Sequence, residues 1–308
     1  MDLEAKFVGS MVGSALGDAI GEMAFHLRTR EALLGAVDGA EVLSYTDDTA
    51  MALGLAESLL RVGRVEQGDL GNTFERNYRR EPWRGYASGP PMVFSMVDGL
   101  RISYVEAARR LFGGSGSLGN GAAMRVGPVG LCFHDSDELY LQACASAEVT
   151  HAHPVGKDGA GVQAVAVGKA VRMDPTTGFS VVRFALELAT VARTQEIREK
   201  MEAMATLLEE GVGPAEAARR LGKGVAVHES MPFAVYSFLR HPHSFVECLL
   251  CAVLNEGDRD TLGAMACAIS GAYLGLEAIP VEWVRKLENR AVIQELGLRL
   301  LDVHGTGE

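Results

Sequence analysis

The sequence is short of several things, and each shortage excludes something. Cysteine is scarce: the 308 residues carry five, an odd number that cannot all pair within the chain. Reduced thiols, and with them a cytoplasmic setting, are the expectation. Cys248 and Cys251 form a C-x-x-C, but no second pair stands at zinc-site spacing. Two small apolar residues one turn apart on a buried helix are expected instead. No uninterrupted apolar run reaches about 20 residues, so a membrane span is not expected. The N-terminus opens with acids and has no basic segment of the secretory kind. Long Lys/Arg runs are missing too. With 29 basic against 40 acidic residues the formal charge is −11, which argues against a nucleic-acid partner. Alternating strand patterns, fixed-period repeats and low-complexity linkers are also lacking, so one domain over 1–308 is expected, and nothing in it asks for more than a monomer.

What is present is helix. Thr49–Val62, Ser136–Val149, Val155–Met173, Glu196–Glu210 and Val281–Leu301 carry apolar residues at three- and four-residue spacing. Breakers fall between such segments at Gly113–Gly116, Asp174–Pro175 and Gly211–Pro214. The fold class is therefore all-α. Two stretches add a stripe of small residues every fourth position: Gly9, Gly13, Gly17, Gly21, and Gly263, Cys267, Gly271, Gly275. Glycine inside a helix costs roughly 1 kcal/mol relative to alanine. Stacked on one face, such residues let two helix backbones approach closely.

Each small-faced helix adjoins acids. Tyr45-Thr46-Asp47-Asp48-Thr49 precedes one apolar helix, and Gly257-Asp258-Arg259-Asp260-Thr261 precedes the Gly/Ala helix. Taken singly, each cluster reads as a helix cap. Taken together, paired Asp with Thr makes a hard-oxygen ligand set suited to Mg²⁺, Mn²⁺ or Ca²⁺. Four converging carboxylates without cations would repel one another. A third stretch, Gly113 to Arg125, is rich in glycine, so its backbone N–H groups suit a diphosphate, with a helix expected from about Ala122.

These motifs resemble the ADP-ribosylglycohydrolase (ADP-ribosylhydrolase) family nearly end to end. The resemblance rests on GSALGDAIGE, YTDDTAMAL, RGYASG, GSGSLGNGAAMRVGPVGL, THAHPVGKDGA, LGKGVAVHESMPFAVYSFLR and GDRDTLGAMACAISGAYLGLEAIPVEW. The glycine-rich stretch and VHESMPFAVYSFLR look most similar to the ADP-ribosylserine hydrolase subgroup. The resemblance implies an orthogonal helical bundle with two Mg²⁺ ions in a cleft, Mn²⁺ being an alternative. Thr46, Asp47, Asp48, Asp258, Asp260 and Thr261 are then the implied metal ligands. Gly116, Ser117, Gly119 and Asn120 would hold the diphosphate and proximal ribose, and Phe112 would lie against the adenine. The loop from Arg84 to Gly89 is placed beside the ligand. His151 either faces the cleft or caps a helix.

Three positions depart from the family pattern. Phe25 stands where a Glu acts at the scissile bond, and Glu22, one turn earlier, is taken as the catalytic acid or base. Leu118 replaces an aromatic that sandwiches the base. Arg259 replaces a Thr between two acids, where it either reaches a phosphate or forms a surface ion pair. The implied activity is hydrolysis of the C1″ glycosidic bond of ADP-ribosyl conjugates, on proteins or small molecules, to release ADP-ribose. The alternatives are a non-catalytic ADP-ribose binder, a structural protein and a two-metal phosphohydrolase.

Overall fold

The computed structural model describes residues 2–304. Among them are seventeen α-helices and two short 3₁₀ turns, with no strand. Extended pairing is confined to two isolated bridges, Leu43 with Leu287 and Gly119 with Ala226. No helix among the described residues is long and apolar enough to cross a membrane.

Two helices form the centre: Leu3–Ala24 and Arg259–Leu274. Both are buried almost all round, as expected of helices whose faces are apolar or small on every side. They run antiparallel and touch through the glycine stripes. A Cβ on Gly9 would lie 2.7 Å from the Gly271 carbonyl oxygen, one on Gly13 2.6 Å from that of Cys267, and one on Gly21 2.4 Å from that of Arg259. Only hydrogen fits between these backbones. The stripes seen in the sequence are thus the contact surface of one helix pair. Its end joins Gly21 to the second acid cluster.

The remaining helices wrap this pair. Asp47–Val62, Pro154–Arg172 and Val227–Arg240 bury their apolar faces in the one core. Lys6 is buried on the first helix and donates to the carbonyls of Val171, at 2.7 Å, and Met173. Its ammonium thereby satisfies the C-terminal carbonyls of Pro154–Arg172. Cys248 and Cys251 lie buried on the Phe245–Val253 helix, and all five cysteines are free.

The structure differs from the sequence reading at three boundaries. The segment 281–301 is two helices, Val281–Lys286 and Arg290–His304. Between them Leu43 N–H donates to Lys286 O and Glu288 N–H donates to Leu43 O, and Asn289 turns left-handed at φ 53°. Tertiary pairing thus overrides a periodicity that continues through the break. The helix expected from Ser136 begins at Leu139, after a turn in which Ser136 Oγ accepts from Glu138 N–H. The glycine-rich stretch does not pass into a helix at Ala122. It forms a single 3₁₀ turn, Asn120–Ala122, and the next helix starts at Gly127.

Candidate active site

One cavity of about 540 Å³ gathers three of the motifs. Its floor holds Asp47, Asp48, Asp258, Asp260 and Thr261. Its walls hold Gly89, Phe112, Gly116, Ser117, Leu118, Gly119, Asn120 and His151. Thr46 and Glu22, also singled out in the sequence, stand outside this lining.

Of the acids on the floor, Asp260 takes up a first-turn N–H, accepting from Thr261 N–H at 2.9 Å. Thr46 and Asp258 occupy the N-cap positions of their helices, yet neither side chain caps. A residue the sequence reading passed over explains the first case. Asp18 is fully buried on the Leu3–Ala24 helix. It accepts from the Thr46 N–H (3.0 Å) and hydroxyl (2.8 Å) and from the Thr49 N–H (3.0 Å) and hydroxyl (2.6 Å). Asp18 therefore takes over the capping work and frees Asp47 and Asp48. The signal for it was an acid set between Gly17 and Gly21 in GSALGDAIGE, one of two charged residues buried on that helix, with Lys6. The second cluster is shaped by its backbone. Glu256 and Gly257 are left-handed at φ 65° and 85°, and Asp258 N–H donates to Lys223 O at 2.9 Å.

Crowding of like charge shows in the acid–base balance. Burial, then neighbouring Asp18, pushes the Asp47 carboxyl up to about 7. Burial, then Asp258, pushes Asp260 up to about 8. Asp48 is raised well above the ordinary range by burial and then by Asp18, Asp260, Asp47 and Asp258. Asp48 Oδ1 is buried without a hydrogen-bond partner. An orphaned buried oxygen within a ring of mutually repelling acids suits a hard cation. The Thr46 hydroxyl stands in the same set: it donates to Asp18 at 2.8 Å and lies 3.3 Å from Asp48 Oδ2. Among the described residues no three His, Cys, Asp or Glu groups by themselves form an arrangement able to hold a metal ion.

The glycine loop forms the opposite wall. Leu111 leaves helical geometry, and Phe112, Gly113 and Gly114 then follow one another with positive φ, at 50°, 69° and 92°. This aims Phe112, which is 63% exposed, into the cavity mouth. Gly116, at φ 76°, lies so close to His153 N that a Cβ would approach it to 2.6 Å. The loop is thereby pressed onto the 151–156 segment. It is also stitched to a distant one: Asn120 N–H donates to Val225 O at 2.9 Å, and Val227 N–H donates to Leu118 O at 3.0 Å. Val225 and Ala226 line the cavity through this pairing; they stand within LGKGVAVHESMPFAVYSFLR, but no local pattern gave them a place in the site. The Asn120 amide donates to Asp258 at 2.7 Å, joining loop to acids.

His151 faces the cavity and is not a cap. His153 caps the Pro154–Arg172 helix instead, its Nδ1 accepting from Val155 N–H at 3.2 Å. Burial, then the nearby Arg125 charge, lowers the His151 imidazole to about 3, so the ring is neutral at physiological pH. Arg259 fulfils neither expectation for it. It is buried, donates to Val253 O at 2.7 Å, stands outside the cavity lining and makes no surface ion pair. Arg84 is also buried. It pairs with both Glu288 carboxylate oxygens at 2.8 Å, donates to Tyr45 O at 3.0 Å and stacks on the Tyr45 ring at 4.2 Å. It anchors the 84–89 loop to the start of the first acid cluster.

Glu22 is exposed in the last turn of the first helix, and its charge is among those that raise Asp260. The backbone stays helical through Phe25 (φ −58°, ψ −31°), with Phe25 N–H donating to Glu22 O. Positions 22 and 25 thus stand one above the other, beside the second acid pair.

The sequence profile of the ADP-ribosylglycohydrolase family matches residues 1–308. The chain belongs to the ADP-ribosylglycohydrolase family. Among curated relatives of this glycohydrolase, the mouse protein named ADP-ribosylhydrolase ARH3 is 36% identical over 276 residues, covering 80% of this chain and 74% of that protein. The human ADP-ribosylhydrolase ARH3 is 34% identical, covering 80% and 76%. A solved structure titled ADP-ribosylglycohydrolase-related protein complex superposes with a TM-score of 0.76 over 98% of this chain and 99% of that one. At 24% identity it supports the all-α fold of the glycohydrolase alone.

Proposed function

We propose that this glycohydrolase cleaves the C1″ glycosidic bond of ADP-ribosyl conjugates and releases intact ADP-ribose. The observation that carries the reading is the single cavity in which both acid pairs face the glycine loop across about 540 Å³. An elongated ligand with a base at one end, a diphosphate in the middle and a ribose at the other matches that order of groups. Phe112 and Leu118 take the adenine. Gly116, Ser117, Gly119 and Asn120 take the diphosphate and proximal ribose, the backbone N–H groups offsetting its charge within an acidic protein. The distal ribose then reaches the acids. Thr46, Asp47, Asp48, Asp258, Asp260 and Thr261 would hold two Mg²⁺ ions, and the same oxygen set accommodates Mn²⁺. Bound there, the ions supply Lewis-acid polarisation and a template for the ribose hydroxyls. Glu22 acts as the general acid or base, donating a proton to the leaving group or accepting one from water.

The substrate class comprises ADP-ribosylated protein side chains, O-acetyl-ADP-ribose and poly(ADP-ribose). Action as a monomer is part of the proposal. Free cysteines support work in the cytoplasm. The test is turnover of several conjugates with and without Mg²⁺, on the wild type and Glu22→Gln. Metal-dependent release of ADP-ribose, lost in Glu22→Gln, supports the reading. Release of AMP instead overturns it.

A second reading is favoured by Glu22 lying outside the cavity lining and by Phe25 in place of an acid. In it the protein binds ADP-ribose without cleaving conjugates. Tight binding with no turnover, unchanged by Glu22→Gln, would establish that.

A further inference from the structure

Arg125 is the largest fully buried side chain, with no exposed surface. Its hydrogen-bond partners are neutral, and the nearby Asp47 charge acts on it without a direct contact. One terminal nitrogen donates to Gly121 O at 3.1 Å and lies 3.7 Å from Met51 Sδ; the other donates to Ser146 O at 3.2 Å and to the Thr150 hydroxyl at 2.8 Å. The guanidinium also lies over the Phe74 ring at 4.6 Å. A buried cation spread over four separate elements is costly unless its orientation matters.

The consequence runs through Thr150. A guanidinium only donates, so Thr150 Oγ1 must accept from Arg125. The one hydroxyl proton is then free to go elsewhere. His151 Nδ1 stands 2.8 Å from the same oxygen. If Nδ1 carried a proton, Thr150 Oγ1 would accept from both Arg125 and Nδ1, and its own proton would be left without an acceptor inside the core. With Nδ1 as acceptor the Thr150 hydroxyl and Nδ1 are both paired, and Arg125 Nε alone stays without a partner. The ring is then the Nε2–H tautomer. Nε2 faces the glycine loop: it lies 3.0 Å from where a Cβ on Gly121 would stand and 3.6 Å from one on Gly119. Both glycines line the cavity.

We infer that Arg125 and Thr150 are positioning residues that fix His151 as an uncharged Nε2–H donor aimed at an acceptor oxygen of the ligand beside the glycine loop. The tautomer follows from the hydrogen bonds alone; the identity of the ligand rests on the function proposed above. Arg125 sets the direction of the chain and also holds Gly121 O, so loop and imidazole keep one spacing. A neutral donor suits a site already crowded with acids, because it recognises an oxygen without pairing with a carboxylate.

The test combines long-range ¹H–¹⁵N NMR of histidine-labelled protein with titration of ADP-ribose. The wild type is expected to show His151 with a pyridine-like Nδ1 and a pyrrole-like Nε2. Thr150→Val keeps the shape and removes the relay; it should lose that signature and bind ADP-ribose about ten-fold more weakly. Thr150→Ser restores the hydroxyl and should recover both. The remaining amide spectrum of Thr150→Val should match the wild type, which separates a lost relay from a lost fold. An Nδ1–H tautomer in the wild type overturns the inference, as does a Thr150→Val protein with unchanged signature and affinity. If the wild type shows the expected tautomer but binds no ADP-ribose, the relay stands and the functional reading is what fails.

Discussion

Gly17 and Gly263 meet with no side chain between them: a Cβ on Gly17 would lie 2.1 Å from the Gly263 carbonyl oxygen, and one on Gly263 would lie 2.2 Å from that of Gly17. Backbone cannot yield as a flexible side chain does. Gly17→Ala and Gly263→Ala should each destabilise the fold by about 3 kcal/mol or more, although alanine favours helix. Gly35, on the Arg30–Gly39 helix with nothing within 4 Å of its missing Cβ, is the control. Gly35→Ala should stabilise by roughly 0.5–1 kcal/mol. Denaturant melts of the three variants check both signs.

The crowded acids predict a trade between stability and metal response. Asp47→Asn or Asp260→Asn removes one member of a repelling set whose carboxyls are pushed up to about 7 and about 8. The metal-free melting temperature should rise by about 2 °C for each kcal/mol of relieved repulsion. Added Mg²⁺ should raise the melting temperature of the wild type and not that of the variants. Thermal scans with and without Mg²⁺ decide it; an equal Mg²⁺ shift in all three proteins goes against the ligand assignment.

Phe112 predicts a different trade. A bulky residue at φ 50° holds about 1–3 kcal/mol of backbone strain. Phe112→Gly relieves that strain and deletes the ring at the cavity mouth. Stability should rise by about 1 kcal/mol, while ADP-ribose affinity should fall about ten-fold through lost stacking. Melting and calorimetric titration measure the two effects separately.

His151 gives a pH signature. Its folded pKa of about 3 lies below the ordinary value of 6.5. The unfolded chain therefore binds the proton first as pH falls. The stability associated with a neutral His151 is fully present above about 6.5 and is lost below it, by at most about 1.4 kcal/mol per pH unit. His151→Gln should flatten that decline between pH 6.5 and 4. Parallel curves for wild type and variant would show that His151 titrates normally in the folded protein.

The sequence was most legible where local pattern and tertiary structure agree. The four-residue glycine stripes meant close backbone approach, and the helix pair they form is the centre of the fold. The paired acids and the glycine loop were visible as motifs, and they share one cavity. Three things were not legible, each for a physical reason. Asp18 was hidden because its work is done across the structure, on Thr46 and Thr49, and not on its own helix. Val225 reaches the cavity only by pairing with the loop at Leu118 and Asn120. The break at residues 287–289 carries no glycine or proline; it is imposed by Leu43, by Arg84 gripping Glu288 and by the Asn289 amide donating to the Tyr45 hydroxyl at 2.8 Å.

The glycine contact also sets where this architecture can change. Because Gly17 and Gly263 meet backbone to backbone, and Asp18 beside Gly17 holds Thr46 and Thr49, the two acid pairs are tied to one helix contact that offers no side chain to trim or enlarge. The facing wall is built the other way: Phe112, Leu118 and Val225 are exposed side chains at its rim. Divergence is therefore channelled to one side of the cleft. A lineage can drift in which base or adduct it accepts, substitution by substitution, while the acid side is inherited as a unit.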